Sequence, residues 1–243
     1  MKYELYYWPH IQGRGEFIRL ALEEGAAEYV DVGRLPESEG GGRPAVARML
    51  EDVADVRTPF APPILKAGKL LIPQTANILL YLGPRLGLVP DAEAARLWAH
   101  QLQLTLSDLM VEAHDTHHPI AKSLYYEDQK PEALRRAADF RALRLPKFLG
   151  YFERVLAANP GGDHYLVGKS LTYVDLSMFQ AIAGLSYAFP RAMGAMPRKH
   201  SKLAALYRRV QERPRIAAYL ASSRRIPFND RGIFRHYPEL DGT

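Results

Sequence analysis

Hydrophobic and polar positions alternate at the start of the chain. Tyr3, Leu5 and Tyr7 fall on one face and Glu4, Tyr6 and Trp8 on the other, the period of an aromatic-rich strand. Pro9 and the cluster Gly13-Arg14-Gly15 interrupt it. From Glu16 the period becomes helical, with Phe17, Leu20 and Ala21 on one side, Arg19 and Glu23 on another, and Gly25 where a C-cap is wanted. Tyr7 therefore stands at the carboxyl end of a strand that feeds a helix N-terminus, the place where open α/β sheets put ligands.

The following stretch continues in short elements. Glu28 to Val32 reads as a strand, Leu35 to Pro44 with its glycine triplet as a loop, and Val46 to Val53 as a weak helix. Ile64 to Lys66 and Lys69 to Ile72 flank the Ala67-Gly68 turn as a hairpin, and Thr75 to Leu82 is an apolar helix ended by Gly83-Pro84. After the linker Pro84 to Pro90 the pattern turns wholly helical. Trp98, Leu102, Leu106 and Leu109 mark a helix over Ala92–Ala113, and Pro131 to Ala157 reads as a second, bent at Pro146. Leu203 to Val210 and Ile216 to Ala221 read as shorter helices. Thr172 and Asp175 have the spacing of a capping box, with Leu171 and Leu176 as its hydrophobic staple. This pattern predicts an α/β N-terminal domain over 1–83, a linker over 84–90, and an all-α C-terminal domain with a tail over 91–243.

Composition narrows the chemistry. The 243 residues include no cysteine, which excludes disulfides, thiolate metal sites and a protein thiol nucleophile, so any sulfur chemistry needs a bound thiol. Lysine and arginine total 32 against 27 acidic residues, a mild basic excess compatible with an anionic ligand. The pairs Arg135-Arg136, Arg208-Arg209 and Arg224-Arg225 read as solvated helix faces without the interleaved aromatics of a nucleic-acid binder. No apolar run reaches the roughly 20 residues that span a bilayer, and the N-terminus does not read as a signal peptide. Neither nucleic acid nor membrane is an expected partner.

Tyr7-Trp8-Pro9, Gly13-Arg14 and the helix after them resemble the N-terminus of tyrosine-type glutathione transferases of the alpha, mu, pi and sigma classes. Leu145-Pro146-Lys147-Phe148-Leu149 is similar to the bent helix of that family's C-terminal domain, and Leu171 to Leu176 to its cap and staple. The resemblance implies a thioredoxin-like glutathione-binding domain followed by a helical domain, in a cytoplasmic homodimeric detoxification enzyme. It implies that Tyr7 is catalytic, donating a hydrogen bond to the glutathione thiolate, which attacks a hydrophobic electrophile. Glutathione is then a co-substrate, with no metal or other cofactor. Pro62-Pro63 resembles the family's cis-proline loop, and Gln74-Thr75 its pair at the third helix, where free amides suit the γ-glutamyl carboxylate.

Two departures qualify these expectations. Pro62 has no N–H where the family pairs its backbone with the thiol peptide, so weaker or altered binding is expected there. The stretch from Gly40 to Arg57 contains no tryptophan for the glycyl carboxylate, leaving Arg43, Arg48 and Arg57 as substitutes.

Each candidate also has a plainer structural role. A strand tyrosine is usually packed, and Tyr6 competes with Tyr7 for the catalytic position. Thr75 also suits a helix cap. Arg14 fits structural support or an approach to glutathione, and Trp8 adjoins the same loop. His114, Asp115, His117 and His118 invite a metal reading, but zinc sites usually recruit a further ligand from elsewhere. The expected role for His114 and His118 is to line the electrophile pocket near an inter-domain cleft. The aromatic tail from Arg224 to Tyr237 is expected to shape the same pocket. Two rivals share the scaffold: a non-catalytic glutathione- or ligand-binding protein, and a glutathione-dependent isomerase or peroxidase.

Overall fold

The computed structural model describes residues 2–51 and 58–242. Its elements are β1 (Tyr3–Tyr6), α1 (Gly15–Glu24), β2 (Tyr29–Asp31), α2 (Gly42–Glu51), β3 (Ile64–Ala67), β4 (Leu70–Pro73), α3 (Thr75–Arg85) and α4 (Glu93–Asp115). These are followed by α5 (Lys130–Asp139), α6 (Leu145–Ala158), α7 (Tyr173–Ala188), α8 (Pro190–Met193), α9 (Met196–Lys199), α10 (Ser201–Gln211) and α11 (Pro214–Leu220). The chain forms two compact units, Met1–Leu88 with Pro214–Pro227, and Val89–Arg213 with Phe228–Thr243. The sequence reading placed everything after residue 91 in the helical half; the segment Pro214–Pro227 packs instead with the first unit.

In the first unit the four strands lie in the order β2-β1-β3-β4. β1 and β2 run parallel across the α1 crossover, while β3 is antiparallel to both β1 and β4. Alternation in β1 sorts its side chains onto the two faces. Tyr3 and Leu5 pack with Ile18, Leu22, Leu65, Ile78 and Leu82, and Tyr6 packs on the opposite side with Val32, Ala45, Val46 and Ile64. A βαβ unit followed by a ββα unit with helices on both faces is the thioredoxin-like arrangement.

Helix α2 begins at Gly42, earlier than expected, because Pro44 falls in the first turn, where its missing N–H is not required. The expected continuation to Val53, and Arg57 beyond it, lie outside the described residues. Segment 214–227 is tied to the first unit by buried polar groups. Glu16 and Arg19 on α1 are fully buried, and the Arg19 guanidinium bridges Glu16 at 3.1 Å and Asp31 at 2.7 Å. The Tyr219 hydroxyl and the Arg225 guanidinium also donate to Glu16, and the Gln12 amide donates to the Ile226 carbonyl. Removing one member of such a set leaves a charge buried without its partner.

The second unit is helical. The expected helix over 131–157 is present as one continuous run, α5 and α6 joined through a widened turn over Phe140–Arg144. Pro146, in the first turn of α6, cannot donate to residue 142, and the widened turn makes room for its ring. α7 carries Thr172 and Asp175 at its start, as the spacing predicts. Thr172 donates its N–H to the Asp175 carboxylate at 2.7 Å and its hydroxyl at 2.8 Å, and the Leu166 N–H donates to the other oxygen at 2.8 Å. Asp175 is completely buried, which raises its pKa to about 6 despite those donors.

Candidate functional site

The strand register gathers the candidate residues at one end of the first unit's sheet. Tyr6 lies opposite Ile64, and Ile64 lies opposite Pro73. The residues just beyond those partners are Tyr7, Pro63 and Gln74, so the end of β1, the start of β3 and the end of β4 share an edge. The Pro62-Pro63 bond there is cis.

The two tyrosines separate by face. The Tyr6 hydroxyl donates to Glu4 at 2.6 Å, and Lys66 reaches the same carboxylate at 3.0 Å from β3. Tyr6 is thereby committed to a cross-strand cluster away from the α1 N-terminus. Tyr7 turns the other way, beneath the start of α1, and is 5% exposed. Its hydroxyl oxygen accepts the backbone N–H of Arg14 at 2.8 Å. The Arg19 guanidinium lies 5.8 Å from the centre of its ring. Three glycines make the fit possible. A β-carbon on Gly13 would stand 2.1 Å from the Tyr7 hydroxyl, one on Gly15 would meet the ring at 2.6 Å, and one on Gly33 would meet the Tyr7 carbonyl at 1.9 Å. In the sequence Gly13 and Gly15 interrupt the strand pattern and Gly13-Arg14 carries part of the resemblance, but nothing there marks Gly33.

Burial pushes the Tyr7 phenol above its ordinary pKa, partly countered by the Arg14 amide and the Arg14 and Arg19 charges. The phenol is thus neutral at physiological pH. With its oxygen accepting from backbone amides at the α1 entrance, the neutral phenol keeps an O–H to donate, an arrangement suited to stabilising an adjacent anion.

Thr75 and Arg14 extend this chain of contacts. The buried Thr75 hydroxyl approaches the Arg14 carbonyl at 3.4 Å, linking the first residue of α3 to the entrance of α1. Gln74, immediately before α3, is exposed and has φ of 73°, a left-handed conformation that a side chain normally avoids. The adjacent α3 N-terminus provides the amides that suit a carboxylate. Trp8 is partly buried, with the Arg43 guanidinium 5.8 Å from its ring, and Arg48 donates to the Gly40 carbonyl at 3.1 Å. Tyr7, Arg14, Gln74, Thr75 and the Pro62-Pro63 loop are therefore brought together at one sheet edge.

His114 and His118 belong to the second unit, where they meet His117. The His117 and His118 rings are 4.8 Å apart, as are His114 and His117. His117 is the buried centre of the group, 2% exposed, and its Nε2 lies 2.9 Å from the carbonyl of Ile233 in the C-terminal segment. Spacing revealed the group but could not reveal that anchor.

The architecture defines a class: a thioredoxin-like unit with a buried tyrosine at the end of its first strand, together with an all-helical unit. Comparison with known proteins agrees with it. Residues 114–223 match the family model described as glutathione S-transferase, C-terminal domain. A glutathione S-transferase of Plasmodium falciparum (isolate 3D7) is 26% identical over 198 residues, covering 79% of this chain and 84% of that protein. Glutathione S-transferase P 1 of Xenopus laevis is 26% identical over 226 residues, covering 92% and 93%. The solved Pi-class glutathione S-transferase of Onchocerca volvulus superposes with a TM-score of 0.69 at 21% identity, covering 90% of this chain and 92% of that one. Each of these likenesses is to a glutathione S-transferase.

Proposed function

We propose that the protein joins glutathione to electrophilic small molecules, with Tyr7 as the residue that stabilises the thiolate. The observation that carries this reading is the Tyr7 hydroxyl, protonated, buried and oriented by the Arg14 amide. A free thiol has a pKa of about 8.5 and is only a few per cent ionised at pH 7. A charge-assisted bond contributes about 1.5–3 kcal/mol, and lowering the thiol pKa by about two units needs about 2.7 kcal/mol. One phenol is therefore sufficient. The thiol proton leaves to solvent, the thiolate sulfur forms a bond to an electrophilic carbon, and a leaving group such as chloride departs with its electron pair.

In this reading Thr75 and the α3 N-terminal amides hold the γ-glutamyl carboxylate, with Gln74 beside them. The Pro62 carbonyl accepts from the peptide, Pro62 itself donating nothing. Arg14 contributes its amide to Tyr7 rather than a side-chain contact, and Trp8 flanks the site. His114 and His118 are assigned no part in electrophile binding. No helix among the described residues is long and apolar enough to cross a membrane. We assign a cytoplasmic detoxification role on the strength of the family resemblance.

The expected assembly is a homodimer. On α4, Leu97, Leu104 and Val111 are 63%, 48% and 47% exposed, and their seven-residue spacing makes one apolar stripe. A second copy of the chain would cover it.

Titration with glutathione, followed by turnover of 1-chloro-2,4-dinitrobenzene, tests the activity. Saturable binding and thioether formation are expected. Binding without turnover of any electrophile would favour a non-catalytic ligand-binding protein, and no binding at all would leave only the shared fold.

A further inference from the structure

The histidine group at the end of α4 contains three imidazoles that the proposed transferase chemistry does not use. His114 is in the last turn of α4, and the His117 and His118 amides both return to its carbonyl, at 3.2 and 3.3 Å. This tight turn sets the three rings against one another instead of spreading them along a helix. One nitrogen from each lies within 4.8 Å of the others, and the Nδ1 atoms of His117 and His118 are 2.5 Å apart.

His117 directs its lone pair inward, where it accepts from the Nδ1–H of His118, a proton that a metal ion would displace to the other nitrogen of that ring. The only role open to His117 Nε2 opposite the Ile233 carbonyl is that of an N–H donor, which leaves the Nδ1 of a neutral ring as a lone pair facing His118. A backbone carbonyl behind a histidine is the usual way in which a metal-binding imidazole is oriented. His114 Nδ1 is buried without a hydrogen bond, the nearest carboxylate oxygen being Asp115 Oδ1 at 3.5 Å.

We infer that His114, His117 and His118 form a three-imidazole site for a divalent first-row transition metal ion. Nitrogen ligands at about 2.0–2.1 Å in a tetrahedral arrangement stand about 3.3 Å from one another. The separations in the cluster bracket that value, and small ring rotations bring all three into place. Imidazole donors favour zinc, copper, nickel or iron over magnesium and calcium. The fourth position falls on the side of His114, whose side chain is 18% exposed and so open to solvent, while His117 is closed off. Asp115 and Glu127 supply negative charge near the rings, against the Arg235 guanidinium. Coordination would also fasten the turn after α4 to the segment around Ile233, through His117.

The test uses the full chain after chelator treatment, titrated with Co²⁺ and then with competing Zn²⁺. One equivalent of cobalt with the ligand-field absorption of a four-coordinate ion is expected, displaced by zinc. Losing a ligand should weaken binding by about tenfold or more, so His114→Ala and His118→Ala should each do so. Zinc should raise the thermal midpoint of the parent protein and not that of these variants. His100→Ala and His236→Ala are the controls, and circular dichroism verifies folding of every variant. If His118→Ala does not fold, the more exposed His114→Ala decides the matter alone. Absence of cobalt binding overturns the inference, as does binding that survives both cluster substitutions or disappears in a control. Glutathione binding is measured separately and is independent of the result.

Discussion

Replacing Tyr7 with phenylalanine removes one oxygen from two hydrogen-bonding relationships, and the two losses have different signatures. In the proposed complex the hydroxyl donates to the glutathione thiolate. Its removal forfeits about 1.5–3 kcal/mol, equivalent to roughly 10- to 150-fold in kcat/KM at a pH where the thiol is not otherwise ionised. The bound thiol should return towards about 8.5, so the acid limb of the pH–rate profile should move up by about one to two units. The sign follows from which form is stabilised: the parent protein favours the anion and keeps its rate to lower pH. The deficit should therefore shrink above about pH 9, where the thiol ionises unaided. Because burial raises the pKa of Tyr7 above its ordinary value, the parent profile should show no alkaline loss from this phenol below about pH 10. The second relationship is internal. The Arg14 N–H, 2.8 Å from the hydroxyl, loses its acceptor, which costs about 1–3 kcal/mol if no water replaces it. Steady-state rates with 1-chloro-2,4-dinitrobenzene from pH 5.5 to 9.5, alongside urea denaturation, separate the two. A variant that is less stable yet keeps kcat/KM within threefold at pH 6.5, with its acid limb unmoved, would show that Tyr7 only supports the α1 entrance.

Three other perturbations address the frame. Gly13→Ala places a methyl 2.1 Å from the Tyr7 hydroxyl at φ 45°; a destabilisation of about 2 kcal/mol or more and a clear loss of turnover are expected. Gly40→Ala, at φ 77° with nothing within 4 Å, should cost only about 1 kcal/mol and leave turnover intact, so equal effects in the two would refute the steric argument. Asp175→Ala strands the Leu166 and Thr172 amides in a buried helix start and should lower unfolding free energy by about 3 kcal/mol in urea titrations. A loss below about 1 kcal/mol would place the weight of that helix start elsewhere. Leu104→Glu puts a charge in the exposed stripe of α4 and should convert a dimer to monomer by light scattering. A parent chain that is already monomeric would remove the reason for assigning that stripe to self-association.

What the chain order determined alone is what short-range periodicity can encode. The switch from a two-residue to a 3.6-residue period between Tyr3 and Leu20 placed Tyr7 ahead of α1, and the Thr172–Asp175 spacing marked the start of α7, because both depend on neighbours within a few positions. The body of α7 was not legible in the same way. Thirteen of its 16 residues are buried, so no polar face remains to reveal the helical period. Pro146 announced a disturbance, but the form of the relief, a widened turn over Phe140–Arg144, is visible only in the folded backbone. Tertiary structure alone set the partners of Tyr6 and Tyr7, Glu4 accepting from one hydroxyl and the Arg14 amide donating to the other. It likewise set Tyr219 and Arg225 against Glu16, and Ile233 behind His117, pairings separated by 203, 209 and 116 positions. Contacts at such separations leave no local spacing to read; they exist only because the folded backbone brings distant groups within reach of one buried partner.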